Sequence, residues 1–153
     1  MTISDISDEI YSEAGEPSDT SVAAIAYWTR NKLGYLNTRI YTSYSLNSSY
    51  EIVDEDGNSI TIEATSILKK LWLIERYDYL IRTSLTSLDS SSVIEIRDDG
   101  SSVKKSDRNQ TIKTLKELKK DELQELDFLI ASYKIRGASP SGISGDDDVE
   151  GYR

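Results

Sequence analysis

The feature that most constrains the fold is a stretch at residues 61–87 whose apolar side chains cover most of the circumference of a helix. Its apolar residues are Ile67, Leu68, Leu71, Trp72, Leu73, Ile74, Tyr77, Leu80, Ile81 and Leu85. A helix that is apolar on nearly every side lies in the middle of a bundle or is covered by a second subunit. The sequence leaves both positions open.

Two apolar series before this stretch predict two further helices. The first helix spans about 2–14, ends at Gly15, and places on one face Ile3, Ile6 and Ile10. The second spans about 18–46 with Ser18 as its N-cap, and its apolar residues are Val22, Ile25, Trp28 or Thr29, Leu33, Leu36 and Ile40. Gly34 inside it is either a soft point or a place where another backbone approaches closely.

Residues 93–105 predict a β-hairpin. Residues 93–97 favour a strand, 98–101 form a turn, and 102–105 return. Because an isolated two-stranded hairpin is marginal in water, its apolar residues need a cover, and these are Val93, Ile94, Ile96 and Val103. We expect an arm that reaches another subunit, and packing on its own bundle is the alternative.

The last helix and the C-terminal segment differ in composition. Ser106 caps a fourth helix at about 107–136, which Gly137 ends and whose apolar stripe is Ile112, Leu115, Leu118, Leu123 or Leu126, Leu129 and Tyr133. Residues 138–153 are too polar to fold alone. We expect them to become ordered only when docked on a partner, through spaced apolar anchors and acids that include Ile143, Asp146, Asp147, Val149 and Tyr152.

The absence of two residue types limits the chemistry. The chain has no cysteine and no histidine, which excludes disulfides, thiolate metal sites, Ser-His-Asp triads and histidine-based zinc sites. Neither a glycine pattern for phosphate nor a pair of carboxylates suited to acid–base work is identifiable. The sequence therefore predicts a non-enzymatic protein without a metal or cofactor.

The charged clusters favour ordinary surface roles. Residues 54–58, in a predicted loop at 47–59 with an extended piece at 50–53, resemble a calcium loop, but its first ligand position would fall on Ile52. We expect an acidic turn there, and acids in the tail that are solvated or meet a basic partner. The basic cluster on the hairpin is mixed with acids and predicts a charged arm: Arg97, Lys104, Lys105 and Arg108.

Polar and aromatic residues of the long helices have two possible locations. Glu75 and Asp78 lie in the most apolar helix, and we expect them to pair with a neighbouring arginine or with a residue on another helix. Tyrosines suit cores and interfaces equally, and five of them lie on the long helices: Tyr35, Tyr41, Tyr44, Tyr77 and Tyr79.

Net charge and targeting features limit the partners. The net charge of −9 disfavours attraction to DNA or anionic lipid, although a protein that lines a passage for DNA without gripping it would also be acidic. The N-terminus lacks the pattern of a signal peptide, and no stretch approaches the length of a membrane span. We expect no membrane association.

Four segments, together spanning nearly the whole chain, carry a resemblance to a known class. They are Gly-Glu-Pro-Ser-Asp at 15–19, Tyr-Asp-Tyr-Leu-Ile-Arg at 77–82, the hairpin region 93–109 and the segment 139–147. With them, the layout resembles the small head–tail connector (adaptor or neck) proteins of tailed bacteriophages, and especially virion structural proteins of phages that infect marine cyanobacteria.

This resemblance implies a ring, typically of twelve subunits, seated on the portal protein and contacting further neck or tail proteins. DNA would pass through its centre without specific binding. It also implies a location in the neck of the virion, and in the host cytoplasm during assembly. The expected protomer is a mainly α bundle of about four helices over 1–137, with a hairpin arm at 93–105 and an extended docking tail at 138–153.

Three other classes stay open. One is a phage assembly or adaptor protein outside the neck, and another is a helical-bundle enzyme that uses carboxylates. The third is an acidic mimic of DNA, which would need carboxylates in phosphate-like stripes. The predicted fourth helix instead mixes lysines with acids, which argues against a mimic.

Overall fold

The computed structural model describes residues 1–86, 95–98, 101–104 and 108–137, and the side chains of 1–85 and 109–137. Its elements in chain order are α1 (Ile3–Glu13), α2 (Val22–Ile40), β1 (Ser45–Leu46), β2 (Ile52–Val53), α3 (Ile62–Thr86), β3 (Glu95–Asp98), β4 (Ser101–Lys104) and α4 (Arg108–Gly137). The predicted fold class, four helices with a hairpin between the third and fourth, is confirmed. The predicted tail at 138–153 lies outside the described residues.

A capping box begins α1. The Asp5 backbone N–H donates to Thr2 Oγ1 at 3.1 Å, and the Thr2 N–H donates to Asp5 Oδ2 at 2.8 Å. These bonds hold the pKa of Asp5 below its usual value, chiefly through the backbone N–H of Thr2. The helix ends where Gly15 and Glu16 both adopt positive φ, which turns the chain towards α2.

The second helix is shorter than the sequence predicts, by four residues at its start and six at its end. Ser21 rather than Ser18 is the N-cap, because its Oγ accepts from the Ala24 N–H at 3.2 Å. At the other end Tyr41 adopts a left-handed conformation with φ 57° and stops the helix. The Asn37 side chain then binds both backbone groups of Tyr44 and fixes the turn.

A short two-stranded ladder follows α2 and joins the N-terminus to the loop. Strands β1 and β2 are antiparallel with Leu46 opposite Ile52. Ile52 is fully buried, and its backbone N–H donates to the carbonyl of Met1. The predicted extended piece at 50–53 is therefore correct for 51–53, whereas Tyr50 has a positive φ of 60°, and the partner strand at 45–46 was predicted as helix.

The long helices α3 and α4 form the most extensive helix pair. They run antiparallel, since Glu63 pairs with Arg136 at one end of the pair and Asp78 pairs with Lys119 towards the other. The main core lies where this pair meets α1 and α2, and its residues are Ile6, Ile10, Ile25, Leu33, Leu36, Ile40, Tyr44, Ile52, Ile60, Ala64, Ile67, Leu68, Leu71, Trp72, Ile74, Leu126 and Ile130. The sequence allowed the third helix to lie in the middle of its own bundle or to be covered by a second subunit. The N-terminal half of α3, up to Ile74, lies in the middle of its own bundle.

The sequence left two inward-facing positions open, Trp28 or Thr29 in α2 and Leu123 or Leu126 in α4, and the burial of these side chains decides both. Thr29 is fully buried and Trp28 only partly; Leu126 is 2% exposed, whereas Leu123 is 40% exposed.

Within the described part of the chain, no helix is both long and apolar enough to cross a membrane.

Candidate interaction surfaces

The predicted interface residues fall almost wholly outside the described side chains. Ile96 in β3 and Val103 in β4 are register partners in an antiparallel pair, so the predicted hairpin exists at the backbone level. The remaining predicted interface residues lie outside the described residues: Val93, Ile94, Ile143, Asp146, Asp147, Val149 and Tyr152. Their proposed contacts stay predictions.

The end of the α3–α4 pair that bears the hairpin extends beyond the main core. That core ends at Ile74 on α3 and begins at Leu126 on α4, while Ile81 and Ile112 are buried outside it. From Ile74 to Thr86, α3 continues for about 18 Å at 1.5 Å per residue. Among the described elements, β3 and β4 contact each other and share at most marginal contact with any helix. The surface against which the hairpin side chains pack stays a prediction.

The fourth helix carries a second apolar strip that the sequence analysis missed. Its inner face contains Leu126 and Ile130, which are buried. On its outer face Phe128 is 69% exposed and Ile135 is 70% exposed, with the exposed Ala131 between them. The spacing of three and four residues places all three on one side of the helix. Such a strip is typical of a helix that packs against a second helix, and its spacing could have been read from the sequence.

The outward face of α2 combines tyrosines with basic residues. Tyr27 is 69% exposed and Tyr35 44% exposed, and Arg30, Gly34 and Arg39 are exposed beside them. The helix has three basic residues and no acidic one, in a chain whose net charge is −9. This face is therefore a local positive surface on an acidic protein.

Two adjacent lysines of α3 bind carboxylates on two different helices. Lys69 donates to Glu9 and Glu13 of α1 at 2.8 and 2.7 Å. Lys70 makes the equivalent contacts with α4 at 2.6 and 2.7 Å, and its partners are Glu122 and Glu125. Burial lowers the pKa of each lysine, but the hydrogen bonds to the carboxylates outweigh it and raise both pKa values above the usual one.

These lysines border a cavity of about 380 Å³ between α1, α3 and α4. Its lining residues are Ile10, Glu13, Ala14, Ser66, Lys69, Lys70, Trp72, Leu73, Glu125 and Leu129. A lysine nucleophile needs a lowered pKa, whereas Lys69 and Lys70 are held protonated. Their arrangement therefore stabilises helix packing and is unsuited to Schiff-base chemistry.

The predicted acidic turn at 54–58 is closed by its own side chain. Asp54 Oδ1 accepts from the backbone N–H groups of Asp56 and Asn58 at 3.0 and 2.8 Å, and Oδ2 accepts from Asn58 Nδ2 at 3.1 Å. The side-chain bond from Asn58 is the largest cause that holds the pKa of Asp54 below its usual value. Within the described ranges, no three acidic residues are grouped so that they could hold a metal ion.

The two acids of the apolar helix pair across helices, which is one of the two expected outcomes. Glu75 accepts from Trp28 Nε1 at 2.5 Å and from the Lys32 ammonium. Asp78 accepts from Lys119 Nζ at 2.6 Å. These bonds fasten α2 and α4 to α3 and leave neither carboxylate available as an isolated acid–base group.

The tyrosines divide between core and surface. Tyr44 is buried, and its hydroxyl lies 3.3 Å from the Tyr133 hydroxyl. Burial, with the contact to Tyr44, raises the pKa of Tyr133 to about 12. Tyr35, Tyr41 and Tyr79 are exposed by 44%, 80% and 50%, so the surface holds much of the aromatic content.

With this geometry, the fold defines the class of the protein as a mainly helical protein with a β-hairpin between its two longest helices. Comparison with protein families, curated proteins and solved structures finds no match for this chain.

Proposed function

We propose that this chain is a non-enzymatic structural subunit that associates with copies of itself. Following the resemblance of its sequence, we assign it to the head–tail connector of a tailed phage. There it would form a ring on the portal, contact further neck or tail proteins and let DNA pass through the centre. The protein would therefore be located in the neck of the virion.

The observation that carries self-association is the second apolar strip of α4. Phe128, the only phenylalanine of the chain, and Ile135 leave about 70% of their surfaces in water. Single exposed apolar residues are common on protein surfaces. Two large ones and an alanine aligned on one helix face, opposite an inner apolar face, favour a partner helix.

The position of the hairpin supports the same proposal. In the chain it follows α3 and precedes α4, and both helices extend past the main core towards the ends that join it. A two-stranded hairpin without a covering surface is marginal, and the described helices of its own chain provide little contact. A neighbouring subunit would supply the cover that the protomer does not.

The net charge is compatible with the proposed passage of DNA. At −9 the chain repels a phosphate backbone on average. The local positive surface of α2 has two exposed arginines, while Lys32 of the same helix pairs with Glu75, and two arginines are few for nucleic-acid affinity. An acidic ring would let DNA slide through its channel without holding it.

Imaging the purified protein tests the proposal directly. Negative-stain electron microscopy should show closed rings, either with the protein alone at high concentration or after a purified phage portal is added. A portal without the protein is the control for ring density. Particles that contain this chain only as separate single copies, with solvent around α3 and α4, would refute the assignment.

A further inference from the structure

The outward face of α2 has the chemistry of a receptor for an acidic segment. This face comprises Tyr27, Arg30, Asn31, Gly34, Tyr35, Thr38 and Arg39, all of which are exposed. The Arg39 guanidinium lies 5.3 Å from the centre of the Tyr35 ring and donates to the Tyr35 hydroxyl at 2.9 Å. Arg30 has no ion-pair partner among the described residues. The face thus offers a positive charge that no described residue of its own protomer neutralises.

Gly34 has no side chain, so it leaves a shallow depression at the centre of this face. A Cβ atom added there would meet nothing within 4 Å, so no packing within the described protomer requires glycine. Glycine inside a helix is less favourable than alanine. A second backbone lying across the face would use the space that the missing side chain leaves.

The C-terminal segment of this chain has the complementary composition. Residues 138–153 contain four acids and one arginine, together with Ile143, Val149 and Tyr152 as apolar anchors. From Tyr27 to Arg39 the α2 face is about 18 Å long. The 16 residues after Gly137 reach up to about 50 Å when extended. The segment can therefore cover the whole face of a neighbouring copy.

The direction of the chain favours a neighbouring α2 over its own. Lys134 Nζ lies 4.2 Å from the centre of the Tyr41 ring, so the C-terminal ends of α4 and α2 lie side by side. Trp28 near the start of α2 bonds to Glu75, at the level where α3 meets the middle of α4. The two helices are thus parallel, so α4 ends at Gly137 beside the C-terminal end of α2, and its direction at that point leads away from the α2 face.

We propose that the outward face of α2 binds the segment 138–153 of a neighbouring copy of this chain. Carboxylates from the acidic run would pair with Arg30 and Arg39, and an apolar anchor would pack against the tyrosine rings over Gly34. The inference rests on the proposed self-association and adds the surface and the segment through which one copy holds the next. Each contact is weak, and many copies acting together would give the stability.

Cross-linking of full-length chains tests this contact, because the chain has no native cysteine. One chain carries Gly34→Cys and an isotopically labelled chain carries Ser144→Cys, and they are mixed under mild oxidation. Mass spectrometry should detect a disulfide between the two. The matched control replaces Gly34→Cys with Lys120→Cys, an exposed position on α4, and should give far less of the link.

Charge reversal separates a specific contact from collision. Arg30→Glu with Arg39→Glu should reduce the link to the control level, and changing Asp146, Asp147 and Asp148 to lysine should restore it. Added salt should weaken the wild-type contact, since exposed charges are screened within about 10 Å at 0.1 M. A link unaffected by charge reversal, or equal to the control, would overturn the inference.

Two further outcomes separate this inference from the proposed function. If a single chain with both cysteines links mainly within itself, the segment binds its own α2 and the inference is wrong. Sedimentation of the wild-type protein is measured in parallel. Self-association without the link would overturn only the inference, whereas a protein that stays monomeric alone and with the portal would overturn both.

Discussion

Replacing Phe128 and Ile135 with glutamine should weaken self-association while leaving the protomer folded. Full burial of such a side chain is worth about 1.5–3 kcal/mol. The two side chains are 69% and 70% exposed, so an assembly has about 1–2 kcal/mol per residue left to gain. The pair then contributes about 2–4 kcal/mol per contact, and its loss should lower the association constant about 30- to 700-fold.

The assay is sedimentation equilibrium over a range of protein concentrations, with urea unfolding of the same samples. The free energy of unfolding should change by no more than about 0.5 kcal/mol per substitution, as is usual for surface positions. Leu126→Ala on the inner face is the control; at 2% exposure it should cost about 2–5 kcal/mol. Unchanged association in the double variant, or a loss of stability as large as that of Leu126→Ala, would contradict the reasoning.

Three other predictions concern the arm, the core and the response to acid. Ile94→Ser with Ile96→Ser should abolish assembly with little change in melting temperature, whereas a large drop would mean that the hairpin packs on its own bundle. Thr29→Val should raise the free energy of unfolding by about 1–3 kcal/mol in urea titrations, because Thr29 Oγ1 is buried without a hydrogen-bond partner among the described residues. An unchanged value would imply a bound water. The pKa of Asp54 lies below its ordinary value of 3.8, so its contribution to stability is complete above that pH and is lost as the pH falls through the lowered pKa. Asp54→Asn should lack this part of the acid dependence in unfolding curves between pH 6 and 2, and equal curves for both proteins would show that the bonds from Asn58 are not formed.

Local patterns in the sequence predicted most of the helical fold. The apolar stretch at 61–87 corresponds to α3 at Ile62–Thr86. A stretch of this length is too long for a single strand and is typical of a buried helix. Thr2 and Ser4 were both possible N-caps of α1, and Thr2 is the one that forms the capping box, which needs only residues three apart. Such features depend on neighbours in the chain and can be read without the fold.

Features that depend on distant residues could not be predicted in the same way. The predicted second helix continued past Ile40 to about residue 46, but the left-handed Tyr41 ends α2 and residues 45–46 pair with β2 instead. Pairing of Lys70 with two glutamates of α4 needed the register of α3 against α4. The spacing of the second apolar strip of α4 can be read from the sequence. It was not predicted because the apolar stripe on the opposite face contains more apolar residues.

The arrangement of helix contacts also sets the order in which the protein can fold during synthesis. The two most extensive helix pairs, α1 with α2 and α3 with α4, each join neighbours in the chain, and such local contacts form quickly. The first pair is complete when Ile40 has been made, but α3 ends only at Thr86. At 5–20 residues per second this leaves an interval of about 2–10 s. During it the buried face of α2, which includes Leu33 and Leu36, belongs to a core that α3 has not yet completed, and the nascent chain is most prone to aggregate.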